Sequence, residues 1–251
     1  MKTIAIIQAR MGSTRLPGKV LLKVGDDTLL AYQLMRVRRA TTIDQIVIAT
    51  TTNVEDDAIV AACKAMDVPC VRGSVEDVLD RYHRVLESYP NYDAVIRLTG
   101  DCPLVDPTLI DRTVQFFLAG SFDYANNIGP IGHELSYPDG MCVEVISRPA
   151  FMTMWASAKL VPEREHVTLY VRNHPELFRL GYVPGDANFG HIRLTVDRPE
   201  DFEVVRFLIE RSATNASYLD YIALLTKYPD MLVKNMHIPR NEGLQKSLNK
   251  K

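Results

Sequence analysis

A chain of 251 residues with 47% hydrophobic content buries a sizeable core, and one domain over 1–251 is the expectation. Lys and Arg number 29 against 31 Asp and Glu, a net charge of -2, which argues against a nucleic-acid partner because a phosphate backbone is normally met by a cationic excess. No apolar run approaches the roughly 20 residues of a membrane helix, so no membrane contact is expected. Cys63, Cys70, Cys102 and Cys142 lack metal-ligand spacing, and no charged-then-apolar leader precedes the first apolar run, which points to a reduced, cytoplasmic protein.

The run Ile4-Ala5-Ile6-Ile7 predicts a buried strand over 3–8 that hands over to a small-residue loop carrying three cations, Arg10, Arg15 and Lys19. A helix is predicted over 28–40 with Thr28 as its N-cap, a strand over 45–50, a helix over 54–66, a strand over 68–71, a helix over 75–88 and a strand over 94–98. Leu30, Leu34 and Val37, then Ile59, Ala62, Cys63 and Met66, then Ile110, Thr113, Val114 and Phe117 each form one apolar stripe at helical spacing. Such alternation predicts an α/β fold, a mostly parallel central sheet with helices on both faces, in which ligands sit outside the carboxyl ends of the strands. The glycine-, proline- and asparagine-rich stretch within 121–137 reads as a long loop. A strand follows over 143–146, helices over 148–158 and 163–173, a strand over 191–196 that delivers Asp197, and a helix from near Pro199. The polar, cationic residues from Arg240 are expected to fray.

The loop Ala9-Arg10-Met11-Gly12-Ser13-Thr14-Arg15-Leu16-Pro17-Gly18-Lys19 closes with neither the P-loop ending nor the dinucleotide glycine pattern, so its cations call for another phosphate-handling class. It resembles the signature loop of the cytidylyltransferases that activate acidic sugars, CMP-Kdo synthetase among them, and most closely the branch of spore coat polysaccharide biosynthesis protein F. Two more blocks carry the same resemblance in the expected order: Leu98-Thr99-Gly100-Asp101-Cys102-Pro103 and Thr195-Val196-Asp197-Arg198-Pro199-Glu200-Asp201-Phe202. The resemblance runs from Met1 to near Arg211 and is weakest between Ser121 and Val161. It implies a Rossmann-like nucleotidyltransferase of GT-A-like architecture in which Asp101 and Asp197 bind a catalytic Mg²⁺.

Within the loop, backbone N–H groups of Met11, Gly12 and Ser13, just after Ala9, would hold the β- and γ-phosphates while Arg10 and Lys19 neutralise the departing diphosphate. Arg15 reads as a third clamp, on phosphate or on a sugar carboxylate, or as a structural ion pair. Asp101 and Asp197 suit magnesium, which takes few carboxylates beside phosphate oxygens and water, although each also suits a turn or a helix cap. The resemblance puts nucleobase recognition near Arg72 and Ser74, with Ser74 equally an N-cap. Arg81 reads as a base contact or, more ordinarily, as a solvated helix arginine.

The block from Tyr137 to Val145 resembles a family pattern of glycine, an apolar residue and aspartate before Val-Glu-Val, but Cys142 stands where aspartate is usual. That departure puts sugar or metal handling in question. Cys142 reads as a small buried residue and Glu144 as a substrate-facing group that needs a partner. Arg164-Glu165-His166-Val167 resembles a further motif of the same branch, with Arg164 and His166 at the acceptor or in a helix-face ion pair and a structural hydrogen bond. His133 and His191 are isolated and read as structural or exposed.

These readings give a Mg²⁺-dependent transferase that joins CTP, or another NTP, to a sugar or sugar acid, yielding a CMP-activated sugar for a surface glycan and pyrophosphate. Two others stay open. A GT-A type glycosyltransferase using a nucleotide-sugar donor predicts a closely spaced Asp-x-Asp at a strand end, which this chain lacks; a catalytically inactive nucleotide-binding subunit is motivated by Cys142. The family implies a homodimer formed through 121–182, a loop-rich segment that otherwise reads as an acceptor-binding lid.

Overall fold

The computed structural model describes residues 1–129 and 136–248; His133 and positions 130–135 of the expected loop lie outside them. Ile4, Ala5, Ile6 and Ile7 are fully buried because β1 (Thr3–Gln8) runs through the middle of a sheet covered on both faces. A small hairpin of β2 (Lys23–Val24) and β3 (Asp27–Thr28) stands apart from that sheet. β4 (Gln45–Thr51) and β6 (Ala94–Thr99) flank β1 in parallel, and β5 (Cys70–Gly73) adds to β4 in the same direction. β8 (Glu144–Ser147) enters against β6, with Arg97 opposite Glu144. β7 (Tyr124–Asn126) and β9 (Leu180–Tyr182) complete the order β5-β4-β1-β6-β8-β7-β9 among the described residues.

Alternation along the strands divides the core. Ala5, Ile7, Ile96 and Leu98 pack with residues of α1 (Leu29–Val37), α2 (Asp57–Ala65) and α4 (Pro107–Gly120), while Ile4, Ile6 and Val95 pack with α3 (Val78–Ser88) and α5 (Arg148–Ser157). α6 (Val161–Glu165) and α7 (Leu169–Asn173) follow, and Val171 of α7 joins the second face. A third cluster unites Tyr32, Leu104, Leu194 and Val196 with α8 (Pro199–Arg211) and α9 (Tyr218–Lys227); α10 (Pro229–Val233) and α11 (Glu242–Leu248) end the described chain. Each fully buried Ile or Leu adds about 1.5–3 kcal/mol, so burial on two faces fixes the strand ends more firmly than local propensity does.

Thr28 caps α1, its Oγ1 accepting from Ala31 N at 3.1 Å. α3 starts later than the predicted 75–88, at Val78, because Asp77 Oδ1 accepts from Asp80 N (2.9 Å) and Ser74 Oγ accepts from Asp77 N (3.0 Å). The predicted helix 163–173 divides into α6 and α7 at Val167, whose φ of 50° breaks helical geometry. The expected strand 191–196 does not form. It makes an isolated bridge between Asp139 and Arg193, close by Gly140 (φ 99°), where a Cβ would lie 2.6 Å from the Leu194 carbonyl carbon. β7 and β9 are three residues each, too short to show a period of two. Residues Glu242–Leu248 are helical where fraying was expected from Arg240. Among the described residues no helix is long and apolar enough to cross a membrane.

Candidate active site

β1 and β6 end side by side. Gly100 N donates to Gln8 O at 2.8 Å, and a Cβ at Gly100 would lie 2.9 Å from that oxygen, so glycine alone admits the approach that sets Asp101 against the loop leaving β1. In this loop Ala9 N donates to Ala49 O (3.0 Å), Met11 N to Asp56 Oδ1 (2.6 Å), and both Ser13 N and Gly18 N to Met11 O (2.7 and 2.9 Å). Asp56 is fully buried and also accepts from Thr51 N (3.1 Å) and the Thr51 hydroxyl. The loop is thus closed on itself and tied to β4. Of the three amides expected to face phosphate, those of Met11 and Ser13 serve these internal bonds, which leaves the Gly12 amide. Gly18, at φ 67°, then turns the chain into Lys19.

The buried Lys19 Nζ donates to Asp197 Oδ1 (2.7 Å), Val196 O (2.8 Å) and Asp101 Oδ2 (3.2 Å), so one ammonium joins aspartates from two distant blocks. Arg15 Nη2 meets the same Asp197 oxygen at 2.8 Å. Arg193 takes Asp197 Oδ2 (3.1 Å), Asp139 Oδ2 (2.8 Å) and Asp201 Oδ1 (2.8 Å). Asp201, accepting from Asp197 N (2.9 Å) and Arg198 N (3.0 Å), supplies the cap of α8 in place of Asp197. Arg240 closes the cluster at 3.6 Å from Asp139 Oδ1 and 3.5 Å from Cys142 Sγ.

Burial by itself lowers the Lys19 pKa, but Asp101 and Asp197 outweigh it and the group lies above its ordinary value, a cation at neutral pH. Burial pushes Asp197 up, yet Lys19 and Arg15 hold its carboxyl well below the usual carboxylate range. Asp139 goes the other way: burial raises it, Arg240 and Arg193 offset only part, and the Asp101 and Asp197 charges add to the rise.

Asp101, Asp197, Asp139, Cys142, Glu144 and His166 all line one cavity of about 240 Å³. Glu144 is 2% exposed and accepts from Arg97, the Tyr124 hydroxyl and Thr168 Oγ1 (2.7 Å); these partners outweigh burial and lower its pKa. It therefore orients Arg97 rather than waiting unpartnered. His166 Nε2 lies 3.0 Å from Ser247 Oγ, and burial lowers its pKa, so the imidazole is neutral at pH 7. Cys142 is pushed up by burial, and Asp139, three residues earlier, brings a carboxylate to the same wall.

Other expected residues sit elsewhere. Arg164 pairs with Asp77 and donates to the carbonyls of Trp155 and Ala158 (3.1 Å each), fastening α6 to the start of α3. Arg72 donates to Thr51 O (2.7 Å) and Asn53 O (2.6 Å) and pairs with Asp57, holding the β4–β5 edge. Ser74 serves the turn before α3, and its carbonyl accepts from Arg81 Nε at 3.0 Å. Arg81 is 2% exposed, so it is neither solvated nor free for a base. Arg10 is exposed and, among the described residues, makes no side-chain hydrogen bond or ion pair; His191 is exposed too.

Asp56, Asp139, Arg193 and Arg240 escaped sequence reasoning. Arg193 did carry a signal, a charge inside the apolar run Ile192 to Val196. Among the described residues no group of three or more His, Cys, Asp or Glu is arranged to hold a metal.

The sequence pattern of the family described as cytidylyltransferase matches residues 4–238. Spore coat polysaccharide biosynthesis protein SpsF of Bacillus subtilis is 38% identical over 234 residues, 90% of this chain and 94% of that protein. A cytidylyltransferase structure from Leptospira borgpetersenii is 34% identical with a TM-score of 0.86, covering 92% of this chain and 97% of that one. CMP:2-keto-3-deoxy-manno-octonic acid synthetase, solved with CTP, is 18% identical with a TM-score of 0.65 over 84% of this chain and 99% of that one, a likeness of fold.

Proposed function

The chain belongs to the cytidylyltransferase family and is a nucleotidyltransferase, and we propose that it moves a cytidylyl group from CTP to a sugar acid, giving a CMP-activated sugar and pyrophosphate. The observation that carries this reading is the Lys19 ammonium bridging Asp101 and Asp197, two aspartates on the wall of one cavity. An acceptor hydroxyl oxygen bonds to the α-phosphorus, the bond from that phosphorus to the bridging oxygen of pyrophosphate breaks, and the hydroxyl proton passes to water or a nearby carboxylate. Lys19 and Arg15, already fixed by Asp197, and the exposed Arg10 neutralise the departing pyrophosphate, so little reorganisation accompanies the charge that moves there.

A divalent ion fits these residues. Asp101 and Asp197 converge on one nitrogen, Asp101 Oδ1 meets no cation among the described residues, and Mg²⁺ takes one or two carboxylates beside phosphate oxygens and water. Held by Asp101 and Asp197, it would supply positive charge to the α-phosphate and to the leaving group.

An acidic acceptor is supported by Arg172, which lines the cavity and, among the described residues, makes no side-chain hydrogen bond or ion pair. The name of the Bacillus relative supports a surface polysaccharide as the destination. Exposed Leu160, Val161, Leu177 and Leu180, all within 121–182, support homodimerisation through that segment, which a mass measurement in solution checks. Asp139 beside Cys142 weakens the case for an inactive subunit.

The reading is tested by pyrophosphate release from each NTP with Mg²⁺ and a panel of eight- and nine-carbon ulosonic acids. Release is expected with CTP and at least one acid. Folded protein that stays silent across the panel overturns it.

A further inference from the structure

The family match ends at residue 238, yet Asn241, Glu242, Gly243 and Leu244 line the same cavity as Asp101 and Asp197. Polar contacts at both ends hold them there. Arg240 donates to Tyr137 O (3.1 Å), and Asn241, at φ 58°, turns the chain into α11. Glu242 takes Arg198 Nη2 on both carboxylate oxygens (2.9 and 3.0 Å) and approaches Arg15 Nη1 at 3.9 Å. Farther along, Ser247 Oγ meets His166 Nε2 and donates to Glu165 Oε2 at 2.6 Å. Between these contacts Gly243 faces open space: a Cβ there would meet nothing within 4 Å, and its φ is unstrained.

We infer that the segment from Asn241 to Leu244 is a wall of the acceptor compartment, with Gly243 the position that sets what the compartment admits and Glu242 the positioning residue that holds the wall. Gly243 lines the cavity and a Cβ there would meet no atom within 4 Å, so a larger side chain at 243 takes up space that the glycine leaves open to an acceptor. The same carboxylate that grips Arg198 also touches Arg15, so wall and phosphate-handling loop are held in one register. The part concerning acceptor rests on the transferase reading; the part concerning the wall does not.

Three proteins test it: Gly243→Trp, Glu242→Gln and a chain ending at Arg240, each compared with the full chain. Two quantities are read, the KM values for CTP and for the ulosonic acid that supports pyrophosphate release, and the rate at which iodoacetamide alkylates Cys142, mapped by mass spectrometry. In Gly243→Trp the KM for the acid rises by about tenfold or more, that for CTP stays within about twofold, and Cys142 reacts more slowly. In the shortened chain and in Glu242→Gln, Cys142 reacts faster, by about tenfold in the former, while CTP still raises the melting temperature. Should the shortened chain not fold, Glu242→Gln, which cuts the latch alone, decides the matter. Equal Cys142 rates in all folded proteins overturn the wall. Shifted rates with an unmoved KM for the acid overturn the selecting role. Absence of pyrophosphate release from the full chain condemns the transferase reading instead, and the Cys142 rates still judge the wall.

Discussion

Lys19→Met keeps the aliphatic stem and deletes the ammonium that donates to Asp197, Val196 and Asp101. Breaking a buried ion pair by removing one partner ordinarily costs about 3–5 kcal/mol. Here Asp197 keeps Arg15 at 2.8 Å and Arg193 at 3.1 Å, and Asp101, with 30% of its side chain accessible, takes water in place of the ammonium. The expected loss of stability is therefore about 2 kcal/mol, or about 4–8 °C in melting temperature for a chain of this length. Turnover falls further, by about 10²–10³, the usual effect of deleting one preorganised group that meets developing charge. Urea unfolding and continuous pyrophosphate release at saturating CTP measure the two effects separately. A variant destabilised by about 5 kcal/mol that still turns over within about threefold of the parent would refute the reasoning, and Lys19 would be a strut.

Arg10→Ala removes an exposed cation that has no side-chain partner among the described residues, so stability stays within about 0.5 kcal/mol while turnover drops at least tenfold; unfolding curves and pyrophosphate release check both halves. Arg164→Ala loses the Asp77 pair and two carbonyl contacts, and denaturation should report a loss of about 1–3 kcal/mol with the CTP-induced thermal shift intact; a lost shift at full stability would return Arg164 to the site. Because the folded Asp197 and Glu144 pKa values lie below their unfolded values, their stabilisation is present above about pH 4 and is lost as pH falls through the folded values. Asp139, raised, has the opposite sign: its contribution is present below the unfolded value and is lost as pH rises through the folded one. Urea unfolding from pH 2 to pH 7 should show stability falling in acid, and Lys19→Met should make that fall shallower.

The first half of the fold was legible because its strands are buried on both faces and its helices on one, so the apolar pattern records the architecture directly. The loop, Asp101 and Asp197 stood out through motif resemblance rather than periodicity, for the strand expected before Asp197 does not form. What pairs with them was hidden. Arg193 and Asp139 meet across 54 positions, Arg198 and Glu242 across 44, and no local periodicity encodes such pairings. The tail read as fraying since its anchors are ionic rather than apolar. Val167 split a helix that spacing had joined, because a left-handed backbone at a β-branched residue is imposed by tertiary packing. Arg72 and Arg164 show the converse: an arginine in a motif block says nothing about whether its guanidinium faces a ligand or a neighbouring carbonyl.

The buried Asp56 carboxylate gathers Met11 N, Thr51 N and the Thr51 hydroxyl before any nucleotide arrives. Ordering a backbone costs about 1–2 kcal/mol of conformational entropy per residue, a term settled for much of this loop when the chain folds rather than when it binds. If the loop seats the triphosphate as proposed, affinity for it is under the control of a residue that contacts Met11 and Thr51 in place of phosphate. Asp56→Asn should shift that entropic cost onto binding, visible in calorimetry as a less favourable entropy at similar contacts. A loop ordered in advance also has little left to adapt, so discrimination among acceptors falls to parts of the molecule outside it.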